Sequence, residues 1–127
     1  MTVRLLLVDD NDEFIATVRR LLKREGLEVV GTATTGDEAV EKAQQLAPVV
    51  ALVDINLGGE SGFNVARRIL EAQEDHARAI LISSYSPDDF ADLIAESPAM
   101  GFVSKSRLSA AAILEILGSD PEASRPA

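Results

Sequence analysis

The sequence predicts an α/β fold in which a parallel sheet is covered by helices on both faces. Short apolar runs typical of strands begin at Arg4, Leu27, Val49, Ala79 and Phe102, so successive runs start 22 to 30 residues apart. Amphipathic stretches with helical spacing of their apolar residues separate these runs. Regular alternation of strand and helix is typical of a parallel sheet, because each crossover must pack a helix on a sheet face.

The segments between the strands carry start and stop signals for five helices. The predicted first helix runs from Asp12 or Glu13 to Arg24, the second lies between a capping box at Thr35 with Glu38 and Pro48, the third runs from Ser61 or Gly62 to about Glu71, the fourth from Ser86-Pro87 to about Glu96, and the fifth from about Leu108 to Leu117.

Length and composition predict one globular domain. The chain has 127 residues, of which 46% are hydrophobic and 26% charged, values close to globular averages. Residues 1–118 are predicted to form the domain. Residues 119–127 are polar and proline-rich, so we expect a disordered tail or the first part of a linker. We expect no room for a second domain, unless the chain is a fragment of a larger protein.

Charge and residue usage exclude several classes of function. The formal net charge of −9 argues against direct binding to nucleic acid or to anionic lipid. Without cysteine and with His76 as the single histidine, the chain offers no disulfide, thiol nucleophile or histidine-paired metal site. The apolar runs are far shorter than the roughly 20 residues that span a bilayer. We therefore expect no membrane association and a cytoplasmic location.

The polar residues that follow the predicted strands indicate a ligand site. Asp9 and Asp10 end the first strand, Asp54 ends the third, Ser83 ends the fourth and Lys105 follows the fifth. Carboxyl ends of parallel strands lie at one sheet edge, where α/β proteins bind ligands. Carboxylates about 5 Å apart repel by roughly 3 kcal/mol per pair at an effective dielectric constant of 20, which implies a divalent cation. Oxygen-only ligands favour Mg²⁺, with Mn²⁺ as the alternative.

These motifs, in this order, resemble the receiver domain of bacterial two-component response regulators, of the single-domain, chemotaxis-regulator-like kind. The motifs are Asp9-Asp10 after LLLV, Asp54 in LVDINLGGESG, Ser83-Ser84 after AILI, and Lys105 at the end of GFVSK. The resemblance covers about residues 3–118. It implies a flavodoxin-like, doubly wound sheet of five parallel strands in the order 2-1-3-4-5, flanked by five helices.

The resemblance also implies roles for the residues of the site. Asp54 is the expected acceptor of a phosphoryl group from a histidine kinase or a histidine phosphotransfer protein. Asp10, Asp54 and the backbone carbonyl of Asn56 are expected to bind Mg²⁺ directly, and Asp9 mainly through metal-bound water. Lys105 is expected to pair with the phosphoryl oxygens.

Further roles concern signalling. Ser83 is expected to move and bond the phosphoryl group, and Phe102 to change rotamer with it. These changes would switch a protein-binding surface on helix 4, strand 5 and helix 5. Asn56 and Tyr85 are expected to tune dephosphorylation. The domain is expected to act as a signalling module that catalyses only its own phosphorylation and dephosphorylation, as a monomer or weak phosphorylation-dependent dimer.

Three positions depart from the family pattern. Ser106 follows Lys105 where proline is usual, which leaves open a cis or trans bond. Gly58 stands where a proline usually follows the acceptor, and we expect it to loosen that loop. Phe102 replaces a more common tyrosine.

Two other classes of function remain open at this point. Asp10-Asn11-Asp12 after an apolar strand resembles the DxD opening of haloacid-dehalogenase-type phosphohydrolases, in which Asp10 would be the nucleophile. The chain could also be an interaction module with a vestigial site.

Overall fold

The structure, a computed structural model, contains one five-stranded parallel sheet, and it describes residues 3–73, 77–85 and 87–118. The predicted tail 119–127, His76 and the helix cap predicted at Ser86 lie outside the described residues. The strands are β1 (Arg4–Val8), β2 (Glu28–Ala33), β3 (Val50–Asp54), β4 (Arg78–Ser83) and β5 (Gly101–Ser104). Their order is β2-β1-β3-β4-β5, as expected, and every neighbouring pair is parallel.

Five helices flank the sheet, at bounds close to those predicted. They are α1 (Asp12–Arg24), α2 (Gly36–Leu46), α3 (Gly62–Ala72), α4 (Ala91–Glu96) and α5 (Ala110–Gly118). The flavodoxin-like α/β fold class is therefore confirmed. Among the described residues, no helix has the length and apolar character needed to cross a bilayer.

The fourth helix differs from its prediction. Residues Pro87–Phe90 form a 3₁₀ turn, and the α-helix proper starts only at Ala91. Phe90, at the N-cap, offers no side-chain oxygen to the first helical N–H groups. No residue of α4 is buried. A proline that suits a first helical turn thus predicts that a helix begins there but does not determine which type of helix forms.

The three inner strands are apolar on both faces because helices cover both. Leu5 and Leu7 of β1 face a core closed by α1 and α5. Leu6 and Val8 alternate with them and face a core closed by α2 and α3. The helix that follows β1 and the helix that follows β3 therefore lie on opposite faces of neighbouring strands, and a crevice opens between the carboxyl ends of these strands.

The segment after β3 is a short hairpin. Asn56–Leu57 pairs antiparallel with Glu60–Ser61. Gly58 and Gly59 make the turn with φ angles of +58° and +103°, values that glycine adopts at little cost. Glu60 Oε2 accepts the Gly36 N–H at 3.0 Å, which ties the hairpin to the start of α2. We expected Gly58 to loosen this loop, and that stays a prediction; the structure shows that its positive φ helps to close the hairpin turn.

Candidate functional site

The same local hydrogen bond ends three of the inner strands. In each case a side-chain oxygen at the strand end accepts the backbone N–H two residues later, which turns the chain away from the strand. The three bonds are Asn11 N to Asp9 Oδ1 at 2.9 Å, Asn56 N to Asp54 Oδ1 at 3.0 Å, and Tyr85 N to Ser83 Oγ at 2.9 Å. One oxygen of each aspartate is fixed in this way, and its second oxygen remains for other partners.

The predicted acids converge. Asp9, Asp10 and Asp54 each offer a carboxylate oxygen, and these oxygens lie within 4.8 Å of one another. Asp9 and Asp54 are buried at 0% and 6% exposure, whereas Asp10 is exposed. The spatial prediction made from residues 45 positions apart in the chain is therefore correct.

Lys105 lies between the two buried acids. Its Nζ is 2.6 Å from Asp9 Oδ2 and 2.9 Å from Asp54 Oδ2, and its side chain is 15% exposed. Lys105 begins a short 3₁₀ turn after β5. No peptide bond among the described residues is cis, so the bond to Ser106 is trans.

Burial and charge act against each other in this cluster. Burial raises the pKa of Asp9 above its ordinary value, and the neighbouring Lys105 ammonium only partly offsets that rise. Burial by itself would lower the pKa of Lys105, but the Asp9 and Asp54 carboxylates outweigh it and hold that pKa above its ordinary value. The site thus keeps its ammonium while it disfavours a full set of ionised carboxylates.

Asp10 and Asp54 line a cavity of about 220 Å³, and the fully buried Asp9 lies next to them. Since a water molecule takes up roughly 30 Å³, the cavity has room for a hydrated cation beside a phosphoryl group. Its lining residues are Asp10, Asn11, Asp54, Asn56, Gly58, Ser83, Ser84, Tyr85 and Lys105. Asn56, Ser83 and Tyr85 therefore lie at the site with the acids and the lysine, as predicted.

The donor set suits a hard divalent cation. All three acidic ligands are oxygen donors, and the exposed Asp10 keeps one side open to water, as Mg²⁺ requires. The buried Asp9 Oδ2 accepts no aligned hydrogen bond among the described residues, although Lys105 Nζ lies close to it. An incompletely satisfied buried carboxylate oxygen is one that a cation or its bound water can satisfy.

Two predicted site residues do not line this cavity: Asp9, which is fully buried, and Phe102. Phe102 is partly buried against the core beneath α3 and borders a separate groove of about 700 Å³ between β5 and α5. Ser84 and Tyr85 line both the cavity and the groove. The loop after β4 is therefore the wall between the acidic cluster and the surface next to Phe102.

Two residues of the site were not identified from the sequence. A Cβ at Gly62 would overlap the Asp54 carbonyl oxygen, so only glycine allows α3 to start against the end of β3. The Phe14 ring centroid lies 4.4 Å from Lys105 Nζ. Gly62 gave a signal, as a glycine at a predicted helix start, whereas Phe14 was interpreted only as part of the apolar stripe of α1.

Comparison with known sequences identifies relatives of this chain. The family model of the response regulator receiver domain matches residues 5–117. Response regulator GacA of Pseudomonas viridiflava is 32% identical over 104 residues, which cover 81% of this chain and 48% of GacA. The chain thus spans about half the length of the curated relatives it matches.

Solved structures agree with the sequence matches. A LuxR-family two-component response regulator from an Aurantimonas species superposes with a TM-score of 0.80 at 27% identity, over 98% of this chain and 94% of that one. A response regulator from Burkholderia pseudomallei was solved with a phosphorylated aspartic acid, a calcium ion and citrate. It superposes with a TM-score of 0.78 at 29% identity, over 96% of this chain and 69% of that one. These matches decide against the phosphohydrolase alternative: this chain belongs to the response regulator receiver domain family.

Proposed function

We propose that Asp54 is the residue of this receiver domain that accepts the phosphoryl group. The observation that carries the proposal is the clustering of Asp9, Asp10 and Asp54 around Lys105, whose Nζ lies 2.9 Å from Asp54 Oδ2. An acidic cluster with one ammonium offers a cation site, a carboxylate nucleophile and a partner for phosphoryl oxygens within one small volume. The Burkholderia pseudomallei relative was solved with a phosphorylated aspartic acid and a calcium ion.

Asp10, Asp54 and the backbone carbonyl of Asn56 would hold Mg²⁺, or Mn²⁺, directly, and Asp9 would hold it through water. The bound cation neutralises charge on the phosphoryl group and on the attacking carboxylate. The hydrogen bond from Asn56 N to Asp54 Oδ1 holds the carboxylate plane and leaves Oδ2 directed at Lys105.

In the transfer step, an Asp54 carboxylate oxygen attacks phosphorus and forms an acyl phosphate. The bond from phosphorus to its donor breaks, and the electron pair leaves with the imidazole of a phosphohistidine or the carboxylate of a small acyl phosphate. Lys105 then exchanges its Asp54 contact for a phosphoryl oxygen, which carries more negative charge. Hydrolysis then resets the site: water attacks phosphorus, the bond from phosphorus to the Asp54 oxygen breaks, and inorganic phosphate leaves. We propose that Asn56 and Tyr85, which border the cavity, set the rate of this hydrolysis.

Ser83 is proposed as the switch residue. Its Oγ already accepts the Tyr85 N–H, so its own hydroxyl proton is free to be donated to a phosphoryl oxygen. Movement of Ser83 would carry Ser84 and Tyr85, which border the groove between β5 and α5, and would make space for Phe102. We therefore propose that the switched surface comprises α4, β5 and α5 and that a downstream protein binds there.

We propose two kinds of partner: a histidine kinase or histidine phosphotransfer protein that donates the phosphoryl group, and a downstream protein that binds the switched surface. Because the kinase uses ATP, a cytoplasmic location is part of the proposal. The net charge of −9 disfavours direct contact with nucleic acid or an anionic membrane. A monomer or a weak phosphorylation-dependent dimer is the proposed assembly.

Acetyl phosphate with MgCl₂ tests the acceptor directly. We expect one phosphoryl group per chain by intact mass spectrometry, located on Asp54 after borohydride trapping and peptide mapping. Asp54→Asn should take no label, whereas Asp92→Asn, which removes an exposed acid of α4, should label as the wild type does. Label on Asp10, or many turnovers of simple phosphate esters, would contradict the proposal and favour hydrolase chemistry.

A further inference from the structure

Phe14 brings an aromatic face to the acidic cluster from the first turn of α1. Its ring centroid lies 4.4 Å from Lys105 Nζ, within the distance of a cation–π interaction. Its backbone N–H donates to Asn11 Oδ1 at 3.1 Å, and Asn11 N–H donates to Asp9 Oδ1. The ring is therefore linked through one short loop to the buried acid that also contacts Lys105.

We propose that Phe14 is a positioning residue that holds the Lys105 ammonium at the phosphoryl site when the acids bind a cation. This inference rests on the proposed function of Asp54. It adds a residue to the site on the basis of the ring contact with Lys105, beside the packing of Phe14 against the core closed by α1 and α5.

The reasoning starts from what else could hold the ammonium. Lys105 sits in a 3₁₀ turn followed by the exposed residues Ser106 and Arg107, so its neighbours in the chain restrict it little. Its two charged partners are Asp9 and Asp54, and both belong to the acidic cluster that fits a divalent cation. A cation bound there would draw on these carboxylates and would also repel the ammonium.

The ring contact survives this competition. An aromatic face attracts an ammonium through its quadrupole but is not a ligand for a hard cation that prefers oxygen. Lys105 is only 15% exposed, which strengthens the attraction relative to a solvated pair. With the cation bound, Phe14 remains as a partner that keeps Nζ beside the place that the phosphoryl oxygens will occupy. Loss of the ring should therefore weaken phosphoryl recognition and leave cation binding nearly unchanged.

Phe14→Leu tests this, with Phe14→Tyr as the variant that keeps the aromatic face. Phe63→Leu is the matched control, because Phe63 is also a partly buried phenylalanine in the first turn of a helix. At saturating MgCl₂, we expect Phe14→Leu to label with acetyl phosphate, and to bind beryllofluoride, about three- to tenfold less well than wild type. Phe14→Tyr and Phe63→Leu should stay within about twofold of wild type.

Cation affinity provides the second readout. Tyr85 is the only tyrosine of the chain, which has no tryptophan, and Tyr85 lines the cavity. The fluorescence of Tyr85 can therefore report Mg²⁺ binding without any phosphoryl donor. Phe14→Leu should change the Mg²⁺ dissociation constant by less than about twofold. In a Lys105→Met background, Phe14→Leu should cause no further loss of labelling, because the ammonium that it positions is gone.

Each outcome bears on one of the two proposals. If the wild type takes label on Asp54 and Phe14→Leu labels equally well, the role proposed for Phe14 is overturned, whereas the proposed function of Asp54 is not. Equal losses in the wild-type and Lys105→Met backgrounds would make the effect one of packing and would also overturn the role of Phe14. If the wild-type chain takes no label on Asp54, the proposed function fails, and the role of Phe14 fails with it.

Discussion

The carboxyl ends of the strands form two halves that differ in burial: an acidic half at β1 and β3, and an α4 half at α4 and β5. On the side of β1 and β3, every residue of β3 is buried, and both strands have a hydrogen-bonded neighbour on each side. On the side of α4 and β5, β5 is an edge strand with one buried residue of four, and α4 buries none of its residues. Local stability follows burial and pairing, so the acidic half should open rarely and the α4 half at low free-energy cost.

This difference suits a division of roles between the two halves. A metal and phosphoryl site needs atoms held in place, and the buried strands carrying Asp9 and Asp54 provide that. A surface that changes with phosphorylation needs two arrangements of similar free energy, which a thinly buried helix beside an edge strand can supply. The loop at Ser84 and Tyr85, which lines both the cavity and the groove, joins the two halves.

The largest expected effect on stability comes from a glycine-to-alanine substitution, and each half offers one such position. In Gly62→Ala, the new Cβ would meet only backbone atoms, the Asp54 carbonyl oxygen and the Ile55 Cα. Because neither strand nor helix can give way, we expect a loss of about 4 kcal/mol in the free energy of unfolding, measured in urea.

Gly101→Ala is the counterpart in the other half. There the Cβ would approach Ile116 Cγ2 at 2.8 Å, a side-chain atom of α5 that moves only with a change of χ1 or a small shift of the helix. We expect a loss of about 2 kcal/mol, half that of Gly62→Ala. Similar losses for the two variants would contradict the contrast between a rigid and a yielding half.

Truncation of one leucine in each half gives the next largest effect. Leu52 of β3 is fully buried, whereas Leu93 of α4 is 50% exposed. We expect Leu52→Ala to cost about 3 kcal/mol and Leu93→Ala less than about 0.5 kcal/mol in the free energy of unfolding. Chemical denaturation measures both. A cost above about 1.5 kcal/mol for Leu93→Ala would mean that α4 is held more firmly than its burial indicates.

The same contrast explains what could be predicted from the sequence. The inner strands and α1 to α3 carry strong apolar periodicity, so their burial agrees with their pattern and their bounds were predicted within a residue or two. The helix α4 buries none of its residues, and the first-turn signal at Pro87 did not determine where the preceding 3₁₀ turn ends and α4 begins. Periodicity predicts elements that bury a face and says little about elements that do not.

The site follows a similar rule. Asp9, Asp10, Asp54 and Lys105 could be placed together because each ends or follows a strand, and strand ends converge by topology. The Phe14 contact with Lys105 could not be predicted, since a phenylalanine at helical spacing is indistinguishable from a core residue in the sequence. The hairpin after β3 was also missed, although Gly58-Gly59 between paired residues is a recognised turn signal.

The smallest expected effect is a gain in the free energy of unfolding, and it tests the acidic half on its own. Three acids face one ammonium there, and burial holds the pKa of Asp9 above its ordinary value, so the ionised Asp9 carboxylate opposes folding. That cost is absent below the unfolded-state pKa of about 4 and grows as the pH rises through the higher folded-state pKa. In EDTA at neutral pH, Asp9→Asn should therefore raise the free energy of unfolding by roughly 1 kcal/mol, a few degrees in melting temperature.

The gain should depend on pH and metal in a defined way. It should vanish below about pH 3, where Asp9 is neutral in both states. Added MgCl₂ should raise the melting temperature of the wild type far more than that of Asp9→Asn. The variant has lost one acid of the cluster and should bind the cation more weakly, and a cation stabilises a native state only as far as that state binds it. Asp12→Asn is the matched control, since this exposed acid in the first turn of α1 favours the helix dipole and its loss should cost about 0.5 kcal/mol. If Asp9→Asn melts below the wild type in EDTA, the ion pair with Lys105 outweighs the burial of Asp9, and the acidic half is stable without a cation.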